Sequence, residues 1–346
     1  MTKLVKKSDI KDLNFDQLIA WLEEHGIQPY RAKQIFKWVH KGKADSFDSM
    51  TNIKKDFRHL LSTHFTIHRP LTKKIETSTD GSRKYLFELS DGKHVESVWI
   101  PEKTRSTLCI SSQIGCAQGC VFCLTGSAGF IRNLTIGEII SQVIEVERDQ
   151  QNTKRLTNIV LMGMGEPLAN YTNVINSINM LTNTEYGLGY SGRKITLSTA
   201  GIVPKLNQLS KDTDASLAVS LNATDNHTRN ELMPINRTYP IEKLLEACRV
   251  YELKPRQKIT FEYILIKGIN DSDTNAKRLS ELLKPIKAKV NIIPFNEYPS
   301  SDFKRPDESR INQFRDILVK NNYTVITRYS KGQDISAACG QLSVKI

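Results

Sequence analysis

Between residues 106 and 330 the chain alternates short apolar runs with longer amphipathic stretches. Short apolar runs are typical of buried strands, and the stretches between them are long enough for helices. Six runs fit this description: residues 108–111, 158–162, 194–198, 216–221, 260–264 and 290–293. Long crossovers between consecutive strands require a parallel sheet. The pattern therefore predicts an α/β fold with functional loops at the carboxyl ends of its strands.

The first 70 residues follow a helical period instead. Asn14 and Gln17 have the spacing of a capping box, and apolar residues recur at helical spacing behind them. Two further segments of this kind follow, and outward positions of the second carry Arg31 and Lys33. We interpret residues 1–70 as a basic helical accessory domain. Its charge fits phosphate binding, and a solvated lid over the main domain fits equally well.

Residues 71–105 change to the pattern of strands. Asp80 and Asp91 are each followed by glycine, which is a two-residue turn signal, and the runs around these turns are typical of strands. This pattern predicts an antiparallel β linker after the helical domain. The main domain then covers residues 106–330, and a C-terminal tail covers residues 331–346.

The charge of the chain suggests a polyanionic partner. Its 346 residues include 49 Lys and Arg against 37 Asp and Glu, a formal net charge of +12. RNA or DNA suits such an excess, although a basic protein without such a partner would have the same composition.

No apolar run approaches the ~20 residues of a membrane span, no signal-peptide pattern is found, and six cysteines do not form a secreted disulfide framework. We therefore expect a cytoplasmic enzyme without a membrane partner.

The sequence C-A-Q-G-C-V-F-C places Cys116, Cys120 and Cys123 in one short loop after the first predicted strand. Thiolates are the usual ligands of iron–sulfur clusters, and three ligands leave one iron of a cubane cluster open to a small molecule. Zinc or three ordinary thiols are the alternatives, but zinc takes four ligands and no partnering Cys or His pair is evident. The spacing, with Phe122 before the last cysteine, resembles the signature of radical S-adenosylmethionine (SAM) enzymes. This resemblance implies a [4Fe–4S] cluster whose open iron binds SAM.

Polar residues follow several predicted strands at the edge where the cysteine loop lies. Gly165 and Glu166 come after the second strand, where glycine lets the backbone approach a ligand and a carboxylate can bind an ammonium group. Ser198, Ser220 and Asn296 lie at or just after the ends of later strands. These side chains can bind parts of SAM, and hydrogen bonding to local turns is their alternative role.

Two further cysteines, Cys339 and Cys109, occupy unusual positions. Cys339 lies in a tail segment of small residues, and Cys109 lies in the first predicted strand. An exposed tail thiol is unusual unless its reactivity is used, whereas Cys248 has the surroundings of a buried helix thiol. If the tail folds back over the barrel mouth, Cys339 reaches the same pocket as the cluster loop.

Across nearly its whole length the chain resembles the RlmN/Cfr family of radical SAM RNA methyltransferases, and within it the RlmN branch. The resemblance rests on dispersed motifs in a fixed order: Tyr30-Arg31-Ala32-Lys33-Gln34, Val95-Glu96-Ser97-Val98, Cys109-Ile110-Ser111-Ser112-Gln113-Ile114-Gly115-Cys116, Arg132-Asn133-Leu134, residues 163–167, Leu197-Ser198-Thr199, Met233-Pro234-Ile235-Asn236 and Ala338-Cys339-Gly340-Gln341-Leu342. It implies a partial parallel (βα)6 barrel, similar to a TIM barrel, with a small N-terminal helical domain. It also implies that Leu221 and Asn222 bind SAM beside Ser220.

The resemblance implies methylation of an adenosine in 23S rRNA, at carbon 2 in the RlmN branch, and leaves open whether tRNA beside the anticodon is a second substrate. That carbon has no lone pair, so the family uses a radical route with two SAM molecules. By resemblance, Cys339 carries the methyl group, and Cys109 releases the protein–RNA crosslink by forming a disulfide with Cys339. Glu96 matches the proton acceptor of the family, and a solvent-facing strand glutamate is its alternative role. An electron donor such as flavodoxin and a monomeric enzyme are also expected.

Three other functions remain as alternatives. Methylation of carbon 8 is the activity of the Cfr branch. A non-catalytic iron–sulfur RNA-binding protein needs the cluster and the charge, but not Cys339 together with Cys109. A radical enzyme acting on a small molecule explains the barrel, but leaves the basic N-terminal domain without a role.

Overall fold

The computed structural model describes residues 7–150 and 155–343. Its N-terminal part contains three helices and two short strands: β1 Ser8–Asp9, α1 Phe15–Glu24, α2 Arg31–Phe36, α3 Lys55–His64 and β2 Phe65–Thr66. Asn14 and Gln17 form the predicted capping box at the start of α1. A π-helical turn, Lys37–Lys41, continues α2. The predicted helical character of this part of the chain is therefore confirmed.

Three antiparallel strands follow: β3 Leu71–Thr77, β4 Arg83–Glu88 and β5 His94–Pro101. Asp80 and Asp91, with the glycines after them, lie in the two turns as predicted. β5 pairs in antiparallel fashion with the first strand of the main domain, so that Val98 lies opposite Cys109. The meander is therefore continuous with the main sheet.

The main domain begins with β6 Ser106–Cys109, and the antiparallel pair β7 Gln113–Gly115 and β8 Phe130–Asn133 follows it. Six further strands lie parallel to β6: β9 Asn158–Leu161, β10 Ile195–Thr199, β11 Ser216–Ser220, β12 Ile259–Leu265, β13 Ala288–Pro294 and β14 Val325–Thr327. In the described residues the sheet thus has seven parallel strands, one more than predicted. The additional strand, β14, is short and partly exposed at the sheet edge, so it carries no apolar run.

The parallel sheet curves around a central cavity. Thr107, Asn158, Thr196, Thr260 and Asn291 belong to five different strands, yet all of them line one cavity. A flat sheet cannot direct side chains from five strands toward one space. The arrangement is therefore that of a partial barrel, which confirms the predicted α/β fold.

Helices alternate with these strands: α4 Leu124–Ser127, α5 Ile136–Asp149, α6 Tyr171–Thr182, α7 Val203–Asp212, α8 Asn226–Leu232, α9 Ile241–Arg249, α10 Asp273–Leu283 and α11 Glu308–Lys320. Thr135 and Glu138 form the predicted capping box of α5. Ile139 and Val143 of this helix join the core of the main domain, whereas Ile140 packs with the N-terminal helices. α5 therefore connects the two hydrophobic cores. None of the helices in residues 7–150 and 155–343 has the length and apolarity needed to cross a membrane.

After β14 the tail returns to the antiparallel meander. The Gly332 N–H donates a hydrogen bond to Asp80 Oδ2 (2.8 Å), and Ser78 Oγ donates to Asp334 Oδ1 (2.6 Å). These bonds connect the β14 edge of the sheet to the turn between β3 and β4. Cys339, which follows this crossing, lies at the central cavity. The tail therefore returns toward the barrel, which is the condition under which Cys339 was expected to reach the pocket of the cluster loop.

Candidate active site

The three-cysteine loop lies between β7 and β8, with Cys116, Cys120 and Cys123 half-buried. Their side chains line one cavity of about 150 Å³, which we call the cluster cavity. Burial raises the pKa of Cys116 to about 11 and also raises the pKa of Cys120. Thiols in such surroundings become thiolates when a bound metal compensates their charge.

The geometry of this loop distinguishes a cluster from a zinc ion. Among the described residues, no group of three or more His, Cys, Asp or Glu side chains is placed to hold a metal ion. Structural zinc needs four ligands that converge at about 2.0–2.3 Å. In a cubane iron–sulfur cluster each cysteine binds a different iron atom, so the three thiols need only face a shared cavity. The loop therefore fits a cluster better than zinc.

The loop after β9 brings Gly165 and Glu166 to the cluster cavity. Glu166 is buried, and its Oε1 accepts hydrogen bonds from the Leu168 N–H (2.9 Å) and Thr199 Oγ1 (2.7 Å). Its Oε2 accepts a third hydrogen bond from the Ala200 N–H (2.7 Å). Burial raises the pKa of Glu166, and these hydrogen bonds act in the opposite direction. The carboxylate thus ties the loops after β9 and β10 together at the cavity wall.

Ser198 and Ser220 also line the cluster cavity, as predicted for residues at the carboxyl ends of β10 and β11. Ser198 Oγ donates a hydrogen bond to Glu262 Oε2 (2.7 Å). Glu262 is a buried residue of β12 that lines the same cavity. The inner face of the barrel therefore carries a carboxylate that sequence analysis did not identify.

Leu221, Asn222 and Asn296 are not among the residues that line the cluster cavity. Leu221 directly follows β11 and is fully buried in the core, whereas Ser220 before it lines the cluster cavity. Asn222 has φ +58°, and its Oδ1 accepts a hydrogen bond from the Ile264 N–H (2.8 Å), so it stabilises the turn after β11. Asn296 Nδ2 donates to the Cys339 carbonyl (3.0 Å) and holds the tail. Their contact with a cofactor stays a prediction.

A second cavity, of about 250 Å³, contains both Cys109 and Cys339, and we call it the relay cavity. Cys109 ends β6 and is buried, which raises the pKa of its thiol to about 12. Cys339 lines the relay cavity and the cluster cavity, so it lies where the two meet. All six cysteines are free thiols, and no disulfide joins Cys109 to Cys339 in this structure.

Hydrogen bonds to main-chain carbonyls fix the tail directly after Cys339. The Leu124 N–H donates a hydrogen bond to the Gly340 carbonyl (2.8 Å), and Thr125 Oγ1 donates to the Leu342 carbonyl (2.5 Å). Both donors belong to α4, which directly follows the last cysteine of the cluster loop. The thiol of Cys339 is therefore positioned by the same segment that positions Cys123.

Glu96 is buried in β5 and does not face solvent. Its Oε2 accepts a hydrogen bond from the Ser343 N–H (2.9 Å), and Lys84 Nζ lies 3.3 Å from its Oε1. Burial raises the pKa of Glu96, whereas the charge of Lys84 lowers it. Glu96 is not among the residues that line either cavity. The solvent-facing alternative is therefore wrong, and in this conformation Glu96 anchors the end of the tail.

Arg328 is a further residue that sequence analysis missed. It directly follows β14 and lines the relay cavity. Its Nη1 lies 3.4 Å from Met162 Sδ and 3.8 Å from Glu262 Oε1. A charged residue inside an apolar strand run was the available signal for Glu262. No such signal exists for Arg328, because its strand was not recognised.

Comparison with known proteins agrees with this geometry. The family described as "Ribosomal RNA large subunit methyltransferase N-terminal domain" matches residues 8–67, and the radical SAM superfamily matches residues 110–278. The dual-specificity RNA methyltransferase RlmN of Desulfosudis oleivorans is 56% identical over 346 residues, which cover 100% of this chain and 93% of the relative. The protein of the same name from Geobacter sulfurreducens is 50% identical over 338 residues, covering 98% and 92%.

A solved structure has the same fold over nearly the whole chain. The crystal structure of a radical SAM methyltransferase from Sphaerobacter thermophilus is 42% identical in sequence and superposes with a TM-score of 0.90. The match covers 96% of this chain and 98% of that chain. The match therefore extends beyond the barrel to most of the helical domain.

Gly165→Ala should destabilise the protein strongly, because Gly165 has φ +99° and a Cβ atom there would lie 2.5 Å from Gln113 Cβ. Gly268→Ala is the matched control, since Gly268 has φ +73° and no atom within 4 Å of the added Cβ. The control should lose about 1–2 kcal/mol from backbone strain alone. Gly165→Ala should lose about 1–3 kcal/mol more from overlap. Denaturant unfolding measures both, and equal losses would contradict the close packing of this loop.

Proposed function

The chain belongs to the RlmN family of radical SAM RNA methyltransferases, and on that premise we propose that it methylates carbon 2 of an adenosine in 23S rRNA. The observation that carries this proposal is the position of Cys339, which lines both cavities. A methyl carrier has to face the source of the radical on one side and the resolving thiol on the other. Cys339 has the cluster cysteines and Cys109 as these two neighbours.

The cofactors of the proposed reaction are a [4Fe–4S] cluster and SAM. Cys116, Cys120 and Cys123 would hold the cluster, while Glu166 and Ser198 form part of the cavity wall that would receive SAM. When bound, these cofactors supply the methyl group and a carbon radical able to remove hydrogen from a methyl group. An electron donor of the flavodoxin type would provide the reducing equivalent.

In the proposed reaction Cys339 Sγ takes up the methyl group as a nucleophile and presents it to the cluster cavity. After loss of one hydrogen atom, the carbon on Cys339 forms a bond to the adenosine ring, and the ring then gives up one proton and one electron, and the cluster, when bound, would be the acceptor of that electron. Cys109 then attacks Cys339 Sγ, so that a disulfide forms and the RNA is released. Glu96 acts as the proton acceptor, and since it now binds the Ser343 N–H, the tail has to shift for this role.

The charge of the chain supports RNA as the substrate. Lys37 of the helical domain is exposed and available for phosphate contacts. Lys33 instead forms an ion pair with Glu185 of the main domain at 2.9 Å, so part of the basic face serves domain packing. The name of the relatives, dual-specificity RNA methyltransferase, supports tRNA as a second substrate. We further propose that the enzyme is monomeric and acts in the cytoplasm.

The nucleoside product tests the proposal directly. Cells that lack this gene should lose 2-methyladenosine from 23S rRNA, and a plasmid copy of the wild-type gene should restore it. Mass spectrometry of digested rRNA and tRNA identifies the methylated carbon and the RNA. A plasmid copy carrying Cys339→Ala is the matched negative control. Restoration of 8-methyladenosine instead would assign the protein to the Cfr branch, and restoration of neither nucleoside would contradict RNA methylation.

Replacement of a cluster cysteine should remove both iron and SAM cleavage. Cys116→Ala, Cys120→Ala and Cys123→Ala each delete one of the three thiolates, so anaerobically purified protein should lose most of its iron and all reductive cleavage of SAM. Cys248→Ala is the control, because Cys248 is a buried thiol of α9 outside both cavities. Iron analysis and product chromatography provide the readout. Retention of iron and cleavage in a triple-Ala variant would exclude this site.

Replacement of Cys339 and replacement of Cys109 should cause different defects in the reaction. Cys339→Ala should keep the cluster and cleave SAM but transfer no methyl group, because the carrier is absent. Cys109→Ala should still attack RNA but not release it, so a nuclease-sensitive protein–RNA adduct should accumulate on denaturing gels. Normal turnover by either variant would refute the two-cysteine route. Cys248→Ala should turn over normally and form no lasting adduct.

A further inference from the structure

The environment of Cys109 conflicts with the chemistry proposed for it. Its side chain is only 7% exposed, and burial raises the pKa of the thiol to about 12. Disulfide formation requires an attacking thiolate, and a thiol with so high a pKa is almost fully protonated at neutral pH. A positive charge close to Cys109 lowers the pKa of its thiol and so counteracts this effect of burial.

Three titratable or charged side chains act on the pKa of Cys109, and two of them, Cys339 and Arg328, line the relay cavity with it. Cys339 approaches from the tail and Glu262 from β12, and both raise the pKa of Cys109. Arg328, at the end of β14, lowers the pKa of Cys109 and of Cys339. The strands on either side of Cys109 present the neutral residues Val98 and Val160. Four other charged side chains line the relay cavity: Glu102, Arg105, Lys289 and Lys331.

Arg328 is held so that its guanidinium reaches the relay cavity. Its main-chain N–H donates a hydrogen bond to the Ile292 carbonyl (2.8 Å), which fixes the residue beside β13. Its Nη1 makes a long contact with Met162 Sδ and lies 3.8 Å from Glu262 Oε1, which is too far for a hydrogen bond. Among the described residues, Glu262 Oε1 has no hydrogen-bond partner. The guanidinium therefore retains donors for another anion, and arginine stays charged at any working pH.

We propose that Arg328 is a positioning residue that stabilises Cys109 as the thiolate which releases the methylated RNA; this inference rests on the proposed function. In that step an electron pair of the Cys109 thiolate forms the S–S bond to Cys339 Sγ. The bond from Cys339 Sγ to the methylene carbon breaks, and its electron pair passes to that carbon and the adenine ring. A proton then completes the methyl group. The two sulfur atoms are oxidised and the RNA adduct is reduced, so no other oxidant is needed.

The test measures how fast iodoacetamide alkylates Cys109 as a function of pH in the cluster-containing full-length enzyme. Peptide mass spectrometry quantifies each cysteine separately. Arg328→Met removes the charge, so the pKa of Cys109 should rise and its alkylation at neutral pH should slow by about tenfold, the equivalent of one pKa unit. Arg328→Lys keeps the charge and should retain most of the wild-type profile.

Arg105→Met is the matched control, because Arg105 also lines the relay cavity and pairs with a glutamate, Glu102, but is not among the charges that act on the pKa of Cys109. Its alkylation profile should equal that of the wild-type enzyme. An unchanged profile in Arg328→Met, or equal shifts in both Met variants, would overturn the proposal. Iron content and circular dichroism report whether Arg328→Met folds. If it does not fold, Arg328→Gln compared with Arg328→Lys gives the same contrast of charge.

An RNA assay separates this proposal from the proposed function. Arg328→Met should accumulate the protein–RNA adduct at neutral pH and release it at higher pH, where Cys109 loses its proton without help. Cys109→Ala should retain the adduct at every pH. If Cys109→Ala forms no adduct, the proposed function fails, while the alkylation profiles still decide the role of Arg328. If Arg328→Met releases RNA at the wild-type rate throughout, only the role of Arg328 is overturned.

Discussion

The geometry of the site depends on the hydrogen bond from the Leu124 N–H to the Gly340 carbonyl. Leu124 directly follows Cys123, and Gly340 directly follows Cys339. This main-chain contact therefore holds the tail thiol close to the cluster loop. Small changes in domain packing would alter the distance between Cys123 and Cys339 little, because each of these cysteines directly precedes one of the two bonded residues. The chemistry proposed for Cys339 requires its thiol to lie close to the cluster loop when the methyl group is presented there.

The continuity of the antiparallel meander with the parallel sheet has a second consequence for the site. β5 pairs with β6, so Val98 lies opposite Cys109, and Glu96 lies two residues before Val98 on the same strand. The turn between β3 and β4 supplies Asp80, which binds the start of the tail. One structural unit thus positions the proposed proton acceptor, the proposed resolving thiol and the path of the proposed methyl carrier. A separately packed linker could not align all three.

The features that could be predicted from the sequence are those that depend on local pattern. Apolar runs predicted six of the parallel strands, and the capping boxes at Asn14 and Thr135 are present. The cluster loop could be recognised because metal ligation needs fixed residue types at fixed spacing. The burial of Glu96 and the position of Arg328 could not be predicted, since both arise from contacts between segments far apart in the sequence. Leu221 was assigned to SAM binding because it lies beside Ser220 in a motif, but its side chain is buried in the core.

The attachment of the tail through its main-chain carbonyls explains how the half-buried thiol of Cys339 can act as the proposed carrier. Each hydrogen bond contributes on the order of 1 kcal/mol net. The carbonyls of Cys339, Gly340 and Leu342 accept three of them, so lifting this segment costs on the order of a few kcal/mol. A thiol on a barrel strand could be displaced only by breaking the sheet. Cys109 occupies such a strand and stays in place, so the mobile partner of the proposed disulfide has to be Cys339. Because Cys109 does not move, the charge proposed to activate it has to be fixed beside it, as the guanidinium of Arg328 is.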